Sequence, residues 1–216
     1  MDFTDNNAVA HAGRVTRNRD LVVAPSILRW AMEGKVFSAG LGPEDTAIDS
    51  EAAYNDLAHT FALIAPTSAA VYVLPIFVRM SMTGDGGAAT YAQVEITKAA
   101  AQCATTMVTS GTALTTINHN SNIVTTPQSE ALHTVTSTAL TNADYITMIQ
   151  ITTVDALLTT GAPMANKENC FELNLLPEAW LLSAGAAMFL SPFTASTDST
   201  WVPYIVWAEL TADDIR

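Results

Sequence analysis

The sequence predicts a mainly β protein built as a two-sheet antiparallel sandwich or barrel. Three observations carry that prediction. Apolar residues alternate with polar ones at a period of two in several short segments, Gly and Pro punctuate the gaps between them, and helix signals are few. The composition agrees: of 216 residues, 49% are hydrophobic and 14% charged, the reverse of a disordered chain. The length is enough to bury a real core without disulfide or metal staples.

Taken in order, the first strong segment is residues 71–82. Its even positions Tyr72, Leu74, Ile76, Val78, Met80 and Met82 are apolar, whereas the odd ones include Pro75, Arg79 and Ser81, so one face is expected to meet a core. Thr83, Gly84, Asp85, Gly86 and Gly87 supply a loop, and residues 90–98 alternate again with Ala92, Val94 and Ile96 opposite Gln93, Glu95 and Thr97. The pair reads as hairpin-like. Phe171, Leu173 and Leu175 form another strand that Pro177 closes. Residues 179–190 are apolar on both faces and read as a buried strand, with Gly185 marking a bulge or a close backbone approach. The last strand, residues 201–210, is apolar on both sides, with Trp201, Ile205 and Trp207 on one and Val202, Tyr204, Val206 and Leu210 on the other. Covering both faces is expected to require either two sheets of the same chain or a neighbouring subunit. For helix, residues 50–57 offer a turn or two with Ser50 as N-cap. Residues 95–107 are ambiguous, since Ala99, Ala100 and Ala101 favour helix and Thr105 and Thr106 do not.

Residues 101–141 differ in composition. They are dense in Thr, Ser, Asn and Ala, and Glu130 is their only charged residue. Ile117, Ile123, Val124 and Val135 recur among the threonines, so this segment is expected to form strands and loops that extend the sandwich. The expected organisation is an N-terminal arm over 1–32 and one sandwich domain over 33–216, with 101–141 as its elaboration.

The formal net charge is -12, and no Lys or Arg stands between Ala99 and Asn166. A phosphate-binding groove needs clustered cations, so that stretch excludes nucleic acid. Arg14, Arg17 and Arg19 form the only basic cluster, partly offset by Asp20, and are the candidate contact of an arm with an acidic partner. A wide uncharged surface instead favours packing against other copies. Met1, Asp2, Phe3, Thr4 and Asp5 carry neither the basic start nor the apolar run of a secretory peptide, so folding in the cytosol is expected. The uncharged runs 61–78 and 179–197 are interrupted by Pro66, Pro75, Gly185 and Pro192, and no membrane partner is expected.

Metal and catalytic patterns are weak. His11, His59, His119 and His133 are dispersed, Asn118 and Asn120 flank His119 where an H-x-H site would need ligands, and no metal or cofactor is expected. Cys103 and Cys170 allow a disulfide, but a cytosolic origin favours two buried thiols. No G-x-S-x-G elbow occurs, and Asp144, Asp155, Glu172 and Glu209 read as acids on solvated strand faces or ends, so no enzyme activity is expected. Ser196, Asp198 and Trp201 are similar to a sialidase Asp-box, but the spacing is one short and the Gly is missing.

Gly40, Leu41 and Gly42 after a first strand, Pro66 before the 71–82 strand, and the closing Pro177, Gly185, Trp207, Ala208 and Glu209 resemble single jelly-roll (TNF-like) virion proteins of the capsid-decoration or capsid-associated type. The resemblance covers about residues 34–210 and lies in organisation. It implies an eight-stranded, two-sheet jelly roll, commonly a homotrimer, that stabilises or decorates the exterior of a phage or other viral capsid beside other virion proteins. Localisation would then be the virion. The alternative is a lectin-like jelly roll for host attachment, with Trp30, Trp180, Trp201 and Trp207 as platforms for a host-surface glycan. Trp201 and Trp207 are the aromatic candidates for partner contact.

Overall fold

A computed structural model describes residues 2–4, 10–12, 26–41, 47–50, 57–85, 91–99, 108–138, 145–154, 170–176, 180–194 and 199–215. The elements in chain order are β1 (Asp2–Thr4), β2 (Ala10–Ala12), α1 (Ser26–Met32), β3 (Val36–Gly40), β4 (Ile48–Asp49), β5 (Ala58–Ile64), β6 (Tyr72–Asp85), β7 (Tyr91–Ala99), β8 (Val108–Ala113), β9 (Thr116–Asn118), β10 (Glu130–Ser137), β11 (Tyr145–Val154), β12 (Cys170–Asn174), β13 (Ala187–Thr194), β14 (Ser199–Leu210) and α2 (Ala212–Ile215). β1 and β2 pair with each other, and the remaining strands form two sheets. Sheet one runs β12-β6-β14-β3-β9, with β4 also on β14; sheet two runs β11-β7-β13-β5-β10-β8. Every strand pairing is antiparallel, so the chain is a mainly β, two-sheet sandwich.

The core is the apolar side of both sheets. Phe37, Val78, Met80, Met82, Trp201, Ile205 and Trp207 from sheet one meet Phe61, Leu63, Val94, Ile96, Met188 and Leu190 from sheet two. Phe37 and Trp207 lie with ring centroids 6.0 Å apart. Burial of this size is the main favourable term in folding.

The alternation expected over 71–82 is present but split. Val206 pairs with Phe77 and Trp207 with Pro75, so Ile76 is an extra residue on β6. A bulge reverses the facing of residues on its two sides. Val78, Met80 and Met82 therefore enter the central core with Val73, while Tyr72, Leu74, Ile76 and Phe77 join a second cluster on the outer face of sheet one. That outer face is covered by Ile27, Trp30 and Ala31 of α1, which also meet Val206 and Leu210 of β14. The two-sided burial of β14 thus comes from the opposite sheet and a helix of the same chain. Part of the expected N-terminal arm is this helix, a functional layer of the fold.

Two further expectations are corrected. β6 and β7 are not a hairpin, because β6 pairs with β12 and β14 in sheet one and β7 with β11 and β13 in sheet two. The apolar run after residue 179 is not one strand either. Leu182 bridges to Val73 of sheet one, Ala184 and Gly185 turn the chain at φ 53° and 79°, and β13 then enters sheet two. Two consecutive left-handed residues make a corner, and an apolar corner between two buried strands has the same hydropathy as a strand. Glu95–Ala99 is strand, since hydrogen bonding to β11 and β13 on both sides overrides the helix preference of alanine. The helical turn expected over 50–57 falls largely on 51–56, outside the described residues.

The threonine-rich middle extends both sheets, as expected. β9 adds to β3 of sheet one, and β10 and β8 add to β5 of sheet two. Trp207→Ala is expected to lower stability by about 3–5 kcal/mol in urea unfolding followed by far-ultraviolet circular dichroism, because the side chain is wholly buried in the central core.

Candidate functional site

The extension from β8 to β10 is the most exposed strand structure described. Thr109–Ala113 are exposed along β8, Ile117 is 63% exposed and Val124 98%. Its position is set by polar side chains at two points. Glu209 near the end of β14 accepts hydrogen bonds through Oε1 from the Ser129 N–H (2.7 Å) and Oγ (2.6 Å), and through Oε2 from the Gln128 N–H (3.0 Å), which holds the chain entering β10. Asn118 Nδ2 donates to the Gly34 carbonyl and to Thr125 Oγ1, both at 2.8 Å, and Asn120 Nδ2 donates to the Met32 carbonyl at 2.8 Å. These asparagines satisfy carbonyls left free at the end of α1. The loop around His119 is therefore the clasp of that helix.

The end of α1 is a Schellman motif, in which the Lys35 N–H reaches the Trp30 carbonyl and the Gly34 N–H the Ala31 carbonyl. Gly34 sits at φ 72°, and a Cβ there would lie 2.7 Å from Ile123. Both the backbone angle and the contact with the extension require glycine. Lys35 then pairs with Asp214 of α2 at 2.5 Å and with Glu33 at 2.8 Å. Burial by itself would lower the Lys35 pKa, but the two carboxylates outweigh it and the pKa is raised; Asp214 is correspondingly lowered against its own burial. Beside this pair, a cavity of about 410 Å³ lies between α1 and α2, lined by Trp30, Leu74, Leu176, Leu181 and Ile215 with Arg29 and Asp214 at its polar side.

A polar seam crosses the other side of the molecule, on sheet two. His59 Nδ1 lies 2.9 Å from Ser191 Oγ and Nε2 3.2 Å from Ser137 Oγ, and its ring stacks on Phe189 at 4.3 Å. Ser191 pairs across strands with Glu95. Serine, histidine and a carboxylate thus share one region, but His59 is 3%, Glu95 4% and Ser191 7% exposed, so the hydroxyl meets no solvent-borne substrate in this arrangement. Glu95 Oε1 and Thr97 Oγ1 find no hydrogen-bond partner among the described residues. Desolvation pushes the Glu95 carboxyl up to about 7. Alternation sets Glu95 on the face opposite Val94 and Ile96; the burial of this second face is a tertiary effect.

The remaining candidate residues separate clearly. Trp201 and Trp207 are 1% and 0% exposed and form part of the central core, so they offer no surface to a partner. Trp201 Nε1 donates to buried Ser199 Oγ at 3.2 Å, and the hydroxyls of Ser199 and Ser50 lie 2.5 Å apart. Trp180 is also buried, while Trp30 is half-buried on the face of α1 that packs on sheet one. Arg14, Arg17 and Arg19 lie outside the described residues, as do Cys103, Asp144, Asp155, Ser196 and Asp198. Cys170 is a free thiol. Glu172 is exposed on β12, apart from the Glu209 clasp. Among the described residues there is no cluster of three or more side chains suited to a metal, and no helix is long and apolar enough to cross a membrane.

Compared with known proteins, the chain matches no family model, no curated protein and no solved structure.

The raised carboxyl makes a pH prediction. Glu95 holds its proton more tightly folded than unfolded, so its contribution is full below about pH 4.5 and is lost as the pH rises toward about 7. Glu95→Gln is expected to remove that loss, raising stability at pH 8 by about 1–3 kcal/mol and flattening the fall between pH 4.5 and 7 in denaturant titrations.

Proposed function

We propose that this chain is a single jelly-roll subunit of a viral particle, on or associated with the capsid exterior, that works by assembling with copies of itself as a homotrimer and with other virion proteins. The strand order supports the jelly-roll reading. If β3, β5, β6, β7, β11, β12, β13 and β14 are numbered one to eight, four strands of sheet one run one-eight-three-six and four of sheet two run two-seven-four-five. Two interleaved Greek keys produce that order. β4 lies between the first and second strands, and β8, β9 and β10 between the fourth and fifth.

Jelly rolls serve both as particle subunits and as lectins, so the fold does not choose between them. The observation that favours assembly is the uncharged exposed extension on the margins of both sheets, where Glu130 is the single carboxylate over residues 101–141. Charge-poor exposed strand is poorly suited to a free surface and well suited to a protein neighbour. The glycan-binding alternative retains Trp30, since Trp180, Trp201 and Trp207 are buried.

Static light scattering at tens of micromolar protein is expected to give an oligomer, with three chains as the expected unit. A well-folded monomer across that range sinks the proposal.

A further inference from the structure

The two sheets end in strands that differ in how open they are. In sheet one, β9 is three residues long and β12 carries the exposed Glu172. In sheet two, β11 pairs with β7, and β8 is a six-residue strand, Val-Thr-Ser-Gly-Thr-Ala, with no charge and no proline. Its partner on one side is β10, and no strand pairs with its other side among the described residues. Free edges of soluble proteins are normally guarded by charge, proline or extreme shortness, because unpaired N–H and C=O groups recruit another strand. β8 has neither charge nor proline, and its only inserted residue is Thr109, because Ser110 and Val108 pair with the consecutive residues Thr136 and Ser137; residues 110–113 are left as the open stretch.

The register specifies what can fill the edge. Leu114 donates its N–H to the Ala131 carbonyl, so ladder alternation over residues 110–114 turns the even-numbered backbone groups toward β10 and those of Gly111 and Ala113 outward; the register shift beyond Ser110 leaves Thr109 out of that alternation. A two-fold axis normal to the sheet through Gly111 then places Gly111 opposite its own copy as a hydrogen-bonded pair. Ser110 falls opposite Thr112, a hydroxyl pair that antiparallel strands favour. Side chains stay on matching faces, no like charges meet, and Gly111 keeps the centre free of side chain. Within the chain a Cβ at Gly111 would stand 3.1 Å from Leu132, a tight contact that glycine avoids.

We infer that β8 is an assembly contact that pairs antiparallel with β8 of a second copy about a two-fold axis at Gly111, joining the two sheets across the interface. This inference rests on the assembly reading above and names the surface that carries one of its contacts. Because the contact is isologous, it joins chains, or rings of chains, in pairs.

The test uses the full chain. Ser110→Lys/Thr112→Lys sets cations opposite one another across the axis at two exposed positions, and light scattering is expected to return half the wild-type mass with an unchanged circular dichroism spectrum. If the variant keeps the wild-type oligomeric mass, the β8 contact is overturned and the assembly proposal stands. If the wild type is itself monomeric, both fall. As a check independent of the lysine variant's folding, Ser110→Cys/Thr112→Cys in a Cys103→Ser/Cys170→Ser background is expected to give a reductant-sensitive covalent dimer, since non-hydrogen-bonded cross-strand pairs approach within disulfide reach. Absence of that dimer in an oligomeric protein also overturns the contact.

Discussion

Sheet one depends on β14 being covered on both faces. β3, β4 and β6 all pair with β14, and its inward residues Trp201, Ile205 and Trp207 fill the centre of the sandwich. Its outward residues Val206 and Leu210 seat α1, and Glu209 holds the chain that enters β10. One strand thereby joins the core, the helix and the exposed extension. A strand with one solvated face could not do this, because α1 would lose its apolar floor. At its edge, Tyr204 packs under the Arg79 guanidinium at 5.3 Å and beside Phe77, closing the outer layer beyond the helix.

The bulge at Ile76 makes the double cover possible. A regular β6 would send Leu74, Ile76, Val78 and Met80 to one side, overfilling the central core and leaving Trp30 and Ile27 without Leu74 and Ile76 on the outer face of sheet one. One inserted residue divides the same series between two clusters. The helix is then fixed at its far end by Gly34, Asn118 and Asn120, so the threonine-rich extension and α1 hold each other in place. The surface proposed for assembly is in this way tied to the core by hydrogen bonds at fixed points, which gives an exposed edge the rigidity a repeated contact needs.

Much of the strand framework was legible in the residues. Alternation over 71–82, 171–175 and 201–210 marks β6, β12 and β14, and the threonine-rich composition of 101–141 marks an extension. The functional surface was less legible. Trp201 and Trp207 look alike whether they fill a core or face a partner, because a large aromatic in an apolar strand suits both, and only packing separates them. Glu95 was hidden for the opposite reason: its alternate position predicts water, and nothing local shows that the second face of sheet two is also buried.

The sequence by itself determined the class of structure, the approximate strands and the lack of positive charge over the middle of the chain, because those follow from local periodicity and composition. Only the tertiary structure decided which strands share a sheet, where Ile76 turns the pattern over, that residues 183–185 form a corner, and that α1 covers β14. Those are long-range pairings, and a period of two is the same whichever strand lies alongside.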